Sequence, residues 1–201
     1  MKLAIIQARM NSERLKGKSL MQFNGKSILM HTVDRVRAVN KINEKVIDAI
    51  CVTTPDMEIV KECEKYGVDS FLGSENNVLD RFYKCAVSYN LSADDEIIRI
   101  TADCPVIDPV LIYGMAKHEC KEYVALDAYN SVPDGYDCEK FKFWVLEEGW
   151  VKSEQDEHVT TWIKKNRTTE LIKTGLDFKG VKLSVDDRQD FERITEYAKL
   201  L

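Results

Sequence analysis

Residues 2–18 have the sequence KLAIIQARMNSERLKGK, and this stretch decides both the fold class and the place to look for a function. The apolar run over residues 2–8 predicts a buried β-strand. A loop rich in cations and small hydrogen-bonding groups follows at once: Ala8, Arg9, Asn11, Ser12, Arg14, Lys16, Gly17 and Lys18. Guanidinium, ammonium and backbone N–H groups are the donors that offset the charge of a triphosphate. A solvated charged loop is the alternative that composition leaves open.

Apolar runs and helical patterns alternate outward from this strand. The spacing predicts strands over residues 2–8, 46–53, 68–72, 96–101, 123–129, 169–173 and 181–185. It predicts helices over residues 27–39, 56–66, 78–89, 109–121, 143–152, 154–165 and 188–200. Such alternation is typical of an α/β fold with a mainly parallel sheet and helices on both faces. Ligands of these sheets bind at the carboxyl ends of the strands, where the loops gather.

Composition restricts the class of protein further. The chain has 201 residues, 44% of them hydrophobic, which suits one domain; we expect residues 1–130 to form a nucleotide-binding half and residues 131–201 an acceptor-binding, metal-completing half. No apolar run is long enough for a membrane span or a signal peptide, so we expect a cytoplasmic protein without a membrane partner. Six scattered cysteines without a C-x-x-C pair indicate reduced thiols, and not zinc or iron–sulfur ligands.

The charge is unevenly distributed. The net charge of −5 argues against nucleic acid as the partner. Residues 1–50 nevertheless carry ten Lys and Arg against four Asp and Glu, a net +6, which leaves −11 for the rest. A basic start on an acidic body indicates one local anion site.

Gly17-Lys18-Ser19 invites comparison with the P-loop. The Walker pattern requires a glycine five residues before Gly17, where this chain has Ser12, and a helix directly after Lys18. Residues 20–25 predict a short strand and a turn instead. The sequence therefore favours a phosphate cradle of another kind.

Two carboxylates are placed to meet this loop. Asp103 and Asp186 each follow a predicted strand, and Mg²⁺ takes few protein ligands, completing its octahedron with water and phosphate oxygens. The alternative is that each Asp caps the helix that follows. His158 is expected to contact substrate more than to transfer protons, and Cys104 is expected to pack in the core because it has no His or Asn partner pattern.

Several stretches resemble one family, the cytidylyltransferases that make CMP-activated sugar acids. Its branch described as spore coat polysaccharide biosynthesis protein F, within the acylneuraminate cytidylyltransferase group, is the nearest in pattern. The resemblance rests on IIQARMNSERLKGK (5–18), NVLDRFY (77–83), RITADCPVIDP (99–109), GYDCE (135–139), EHVT (157–160) and LSVD (183–186). It implies a single Rossmann-like nucleotidyltransferase domain, CTP as donor and Mg²⁺ as cofactor.

The resemblance also implies roles for individual residues. The catalytic residues would be Arg9, Arg14, Lys18 and Asp103, and the metal ligands Asp103 and Asp186. The nucleotide-binding residues would be Ala8, Arg9, Asn11, Ser12, Arg14, Lys18, Arg81, Thr101, Ala102 and Asp103. The substrate-binding residues would be Asn130, Asp137, Glu139, Glu157 and His158.

We therefore expect transfer of CMP from CTP to a sugar acid or related acceptor, with release of pyrophosphate, for surface polysaccharide or glycan synthesis. Three alternatives stay open. These are a phosphate or phosphonate acceptor giving a CDP-type product, a glycosyltransferase of similar fold, and a non-catalytic nucleotide-binding protein. A homodimer is a further expectation.

Overall fold

The computed structural model describes residues 1–127, 131–153, 158–175, 177–178 and 180–199. Within them, seven strands form one sheet in the order β5-β4-β1-β6-β8-β7-β9, and β2 pairs with β3 in a small hairpin. The strands are β1 Lys2–Gln7, β2 Gln22–Phe23, β3 Lys26–Ser27, β4 Ala49–Thr54, β5 Asp69–Leu72, β6 Glu96–Thr101, β7 Tyr123–Leu126, β8 Cys138–Lys142 and β9 Thr169–Ile172. The sheet is parallel except at β8, which runs antiparallel to both β6 and β7.

Helices cover both faces of the sheet. They are α1 Ile28–Val39, α2 Met57–Lys65, α3 Val78–Val87, α4 Pro109–Lys117, α5 Phe143–Lys152, α6 Thr161–Asn166 and α7 Arg188–Tyr197. Residues of β1 alternate between the faces: Ala4 and Ile6 pack with α1, α2 and α4, whereas Leu3 and Ile5 pack with α3, α5 and α6. The α/β class with helices on both faces is thus confirmed, and no described helix is long and apolar enough to cross a bilayer.

The strand order places the loops that matter side by side. β1 pairs with β4 on one side and β6 on the other, so the order reverses at β1. The loops after β1 and β6 therefore open into one crevice at the carboxyl edge of the sheet. They carry the basic loop and Asp103.

Strand β8 is absent from the sequence-based prediction. Its residues Glu139 and Lys140 are charged and nevertheless buried, which hides the strand from a hydrophobic pattern. Their partners lie on the neighbouring strand β6: Arg99 Nη1 lies 2.6 Å from Glu139 Oε2, and Lys140 Nζ lies 3.4 Å from Glu96 Oε2. The charges are compensated across strands, and only the tertiary pairing shows this.

Other element bounds also differ from the prediction. The strand expected over residues 181–185 does not form; Lys182 makes only an isolated bridge with Asp134. Of the helix expected over 154–165, residues 154–157 lie outside the described residues and Thr161–Asn166 is helical. Of the strand expected over 123–129, Tyr123–Leu126 forms and residues 128–129 lie outside the described residues. The helix expected over 109–121 ends at Lys117. All six cysteines are free and buried, as expected of packed thiols.

Candidate functional site

The basic loop after β1 is folded onto itself. Gly17 N donates to Met10 O at 2.8 Å, and Ser19 Oγ donates to Arg9 O at 3.0 Å. Asp56 holds the loop from outside, because its Oδ2 accepts from Met10 N at 2.8 Å. These bonds fix the backbone of the loop, and the side chains of Arg9, Arg14 and Lys18 line the crevice.

Lys18 is the cation at the centre of the site. It begins a 3-10 helix, Lys18–Leu20, which leads into β2 and not into an α-helix, so the P-loop alternative is excluded. The Lys18 Nζ lies 2.8 Å from Asp103 Oδ2, 2.8 Å from Val185 O and 3.3 Å from Asp186 Oδ1. The Lys18 ammonium therefore forms ion pairs with both of the carboxylates that the sequence analysis predicted for this site.

A backbone contact brings Asp186 to this position without a strand. Val185 N donates to Asp103 O at 2.9 Å, and Leu183 N donates to Asp134 O at 2.6 Å. The neighbouring turn is close: a Cβ at Gly135, whose φ is +100°, would lie 2.3 Å from Ser184 N. The expectation that Asp186 ends a strand is wrong. Asp186 nevertheless lies near Asp103, as predicted, because residues 181–186 lie against the loop after β6.

Three cations surround Asp186. Besides Lys18, Arg14 Nη2 lies 2.9 Å from its Oδ1, and Lys182 Nζ lies 3.0 Å from its Oδ2. Partial burial acts to raise the pKa of Asp186, but the bond from Lys182 and the charge of Lys18 outweigh it, so the pKa falls below its usual value. The Asp186 carboxylate is therefore stabilised in its charged form by three cationic side chains.

Capping is performed by other carboxylates. Asp108 accepts from Val110 N at the start of α4, and Asp187 accepts from Asp190 N at the start of α7. Asp103 and Asp186 are not the caps of those helices, so the capping interpretation does not explain them.

A cavity of about 380 Å³ lies over the basic loop. It brings together most of the predicted nucleotide residues, namely Ala8, Arg9, Ser12, Arg14, Lys18, Thr101, Ala102 and Asp103, along with Asp186 and His158. Asn11 is exposed and, like Lys16, does not line this cavity. Below we call this cavity the cradle.

A second cavity of about 1110 Å³ adjoins the cradle and shares Arg99, Thr101 and His158 with it. It is lined by the predicted substrate residues Asp137, Glu139 and His158. Burial, reinforced by the charge of Asp134, raises the pKa of Asp137 above its ordinary value. The other two predicted substrate residues, Asn130 and Glu157, lie outside the described residues.

A family model described as cytidylyltransferase matches residues 3–190 of this chain. The chain belongs to the cytidylyltransferase family. An uncharacterized protein of Methanocaldococcus jannaschii is 33% identical over 207 residues, which cover 98% of this chain and 83% of that protein. The spore coat polysaccharide biosynthesis protein SpsF of Bacillus subtilis is 30% identical over 205 residues, covering 96% of this chain and 84% of that protein. A solved cytidylyltransferase structure from Leptospira borgpetersenii superposes with a TM-score of 0.87 at 25% identity, covering 100% of this chain and 87% of that chain.

The family confirms the expected enzyme class. A cytidylyltransferase is a CTP-dependent nucleotidyltransferase, so the glycosyltransferase and the non-catalytic alternatives are set aside. The Rossmann-like fold expected from the resemblance is confirmed by the superposition with the Leptospira cytidylyltransferase. The roles of individual residues and the division into two halves stay predictions.

Arg81 does not line the cradle of this cytidylyltransferase. Its side chain is fully buried, one guanidinium nitrogen donates to Ser74 O, and Nε and Nη2 have no hydrogen-bond partner among the described residues. Burial, followed by the charge of Arg9, lowers the pKa of Arg81. Asn77, which precedes it, caps α3 by accepting from Asp80 N at 2.8 Å. The predicted contact of Arg81 with a nucleotide stays a prediction.

Arg99 and Gln7 are among the residues of the site that the sequence analysis did not predict. Arg99 lines both cavities, and Gln7 lies beside it with Oε1 3.3 Å from Arg99 Nη2. Arg99 is the first residue of the RITADCP motif, so the sequence did point to this segment. Its position between the two cavities depends on pairing with β8, a strand that the sequence analysis did not predict.

Asp103 and Asp186 of this cytidylyltransferase could hold a metal ion only together with ligands from outside the protein. Among the described residues, no group of three or more Asp, Glu, His or Cys side chains is close enough to hold an ion by itself. Asp103 and Asp186 share one cation, the Lys18 ammonium, which marks the space between them as favourable for positive charge. A pair of carboxylates completed by phosphate oxygens and water suits Mg²⁺.

Proposed function

We propose that this cytidylyltransferase transfers CMP from CTP to a sugar acid and releases pyrophosphate. The observation that carries the proposal is the Lys18 ammonium, held between Asp103 and Asp186 in a cationic cradle that adjoins a larger cavity. The resemblance to enzymes of CMP-activated sugar acids and the SpsF relative support a sugar acid and a polysaccharide pathway.

The cradle supplies what the triphosphate of CTP needs. Arg9, Arg14 and Lys18 provide three positive charges on one loop, and the loop is already ordered by its own hydrogen bonds. Groups that are oriented before the substrate binds do not need to reorganise as charge develops on the leaving pyrophosphate. The loop therefore stabilises the leaving group.

The reaction is an in-line displacement at the α-phosphorus. A hydroxyl oxygen of the acceptor forms the new bond, the bond to the bridging oxygen breaks, and pyrophosphate leaves with that electron pair while the hydroxyl proton passes to solvent. The two adjoining cavities, which share Thr101 and Arg99, would hold the triphosphate and the acceptor on either side of these residues. Positioning accounts for much of the rate in such reactions.

Mg²⁺ would be held by Asp103 and Asp186. When bound, it neutralises charge on the phosphate oxygens. Arg14 and Lys182 contact Asp186 from other directions and would keep its carboxylate oriented.

The larger cavity suits a sugar with some apolar surface. Ala125, Leu126 and Val132 give it an apolar wall, whereas Asp137 offers a carboxyl group for hydroxyl hydrogen bonds. Glu139 is fully engaged with protein partners, so we assign it to shaping the cavity.

The test is pyrophosphate release by the purified chain with each of the four nucleoside triphosphates, Mg²⁺ and a panel of sugar acids and polyol phosphates. We expect release with CTP and a sugar acid, and a product mass equal to that of the CMP conjugate. Asp103→Asn, which keeps the side-chain shape, should abolish release while the thermal unfolding profile is retained. A CDP-type product would identify a phosphate acceptor and overturn the sugar-acid proposal.

A further inference from the structure

Arg99 lies at the boundary between the two cavities. It sits on β6, opposite Glu139 on β8, and four residues before Asp103. The cradle and the larger cavity are both lined by Arg99. Its guanidinium is therefore placed where an acceptor in the larger cavity would approach a nucleotide in the cradle.

The guanidinium of Arg99 has donors to spare. Its Nη1 donates to Glu139 Oε2 at 2.6 Å and its Nη2 to Gln7 Oε1 at 3.3 Å. The Nε is buried and has no hydrogen-bond partner among the described residues. A guanidinium carries five N–H donors, so the two contacts leave several unused. The remaining Nη hydrogens belong to a side chain that lines both cavities, so an acceptor bound there could accept hydrogen bonds from them.

The charge of Arg99 is not cancelled by Glu139. The Glu139 carboxylate also receives Lys164 Nζ at 2.6 Å, Tyr123 Oη at 2.7 Å and Thr160 Oγ1 at 3.3 Å. Burial acts to raise the pKa of Glu139, but the Arg99 and Lys164 charges lower it to about 2. Two cations, Arg99 and Lys164, thus face the single carboxylate of Glu139, which cannot neutralise both. Only 15% of the Arg99 side chain is exposed, so water screens that charge weakly.

We propose that Arg99 binds an oxyanion of the acceptor, next to the oxygen that attacks CTP, and so selects acidic acceptors. The proposal rests on the proposed function and names the group by which that site recognises its substrate. A carboxylate pairs with a guanidinium through two parallel hydrogen bonds, a geometry that an ammonium cannot reproduce. In a sugar acid the oxyanion is the carboxylate beside the reacting hydroxyl; in a phosphate acceptor it would be the attacking phosphate itself.

The first test compares Arg99→Lys and Arg99→Gln with the wild type in steady-state pyrophosphate release. The substrates are CTP and the sugar acid of the panel with which the wild type is most active, for example N-acetylneuraminate. The KM for the acceptor should rise roughly 10- to 100-fold in Arg99→Lys and further in Arg99→Gln. The KM for CTP should change by less than about threefold. Thr160→Val is the matched control, because it removes a neutral contact to the same Glu139 without changing the charge, and it should leave the acceptor KM within about threefold.

The second test changes the substrate and needs no variant. The methyl ester of the same sugar acid removes the negative charge, and the wild type should use it with a KM raised by a similar factor. Arg99→Gln should use acid and ester almost equally. A polyol phosphate in place of the sugar acid shows whether the recognised oxyanion is a phosphate.

The outcomes separate this inference from the proposed function. If the wild type releases no pyrophosphate from CTP with any acceptor, both fall. If it does so but uses acid and ester equally, or if Arg99→Lys raises the KM for CTP and not for the acceptor, only the role of Arg99 is refuted.

Discussion

Replacing Lys18 by Met is the sharpest test of the site. The substitution keeps a flexible, unbranched side chain of nearly the same length and removes the ammonium that lies 2.8 Å from Asp103 Oδ2, 2.8 Å from Val185 O and 3.3 Å from Asp186 Oδ1. Only 13% of the Lys18 side chain is exposed, so solvent cannot replace these contacts fully. The variant therefore loses one oriented cation at the place where the triphosphate would lie.

The expected effect on catalysis is large and the effect on stability is moderate. Removal of one oriented donor to developing charge lowers kcat by about 100- to 1000-fold in comparable sites. The free energy of unfolding should fall by about 1–3 kcal/mol, the cost of losing hydrogen bonds to charged partners. The loss is limited because Arg14 and Lys182 still contact Asp186.

The assay is pyrophosphate release at saturating CTP and acceptor, with urea unfolding of the same samples. The matched control is Lys16→Met, which removes the same charge from the same loop. The Lys16 side chain is exposed, lies two residues before Lys18 in the sequence, and does not line the cradle. Its kcat should stay within about threefold of the wild type. If Lys18→Met keeps more than a tenth of the activity, or if Lys16→Met loses as much, the assignment of Lys18 is refuted.

Three further predictions follow from contacts around the site. Asp187→Ala should lower the free energy of unfolding by about 1 kcal/mol through loss of a helix cap and keep pyrophosphate release, whereas Asp186→Ala should abolish release; equal activity losses in the two would refute the division of roles. Gly135→Ala should abolish activity and destabilise the fold more than Gly67→Ala, because both have positive φ but only the first would place a Cβ 2.3 Å from backbone; similar melting temperatures would contradict this. The Glu139 carboxyl has a folded pKa of about 2 against 4.5 unfolded, so it contributes stability above pH 4.5 that is lost as the pH falls toward 2. In acid titrations followed by circular dichroism, Glu139→Gln should lack this contribution of about 3 kcal/mol, and an unchanged acid dependence would refute it.

Local patterns predict most of the fold because burial acts on short segments. The strand at β1 and the helices α1, α2, α3 and α4 follow from apolar periodicity and from local caps such as Ser27, whose Oγ accepts from Met30 N. The segments whose secondary structure was predicted wrongly have one feature in common. At β8, and over residues 181–186, charged or irregular segments are held by partners distant in sequence, which no local pattern contains.

The sequence by itself determined the family, the basic loop and the identities of Lys18, Asp103 and Asp186, because these are properties of residue type and order. The tertiary structure alone decided that one ammonium joins both carboxylates and that Asp187, not Asp186, caps the last helix. It also decided that Arg99 stands between two cavities with unused donors, since this depends on the antiparallel pairing of β6 with β8. Chemistry is encoded locally, but which charges meet depends on contacts between segments far apart in the chain.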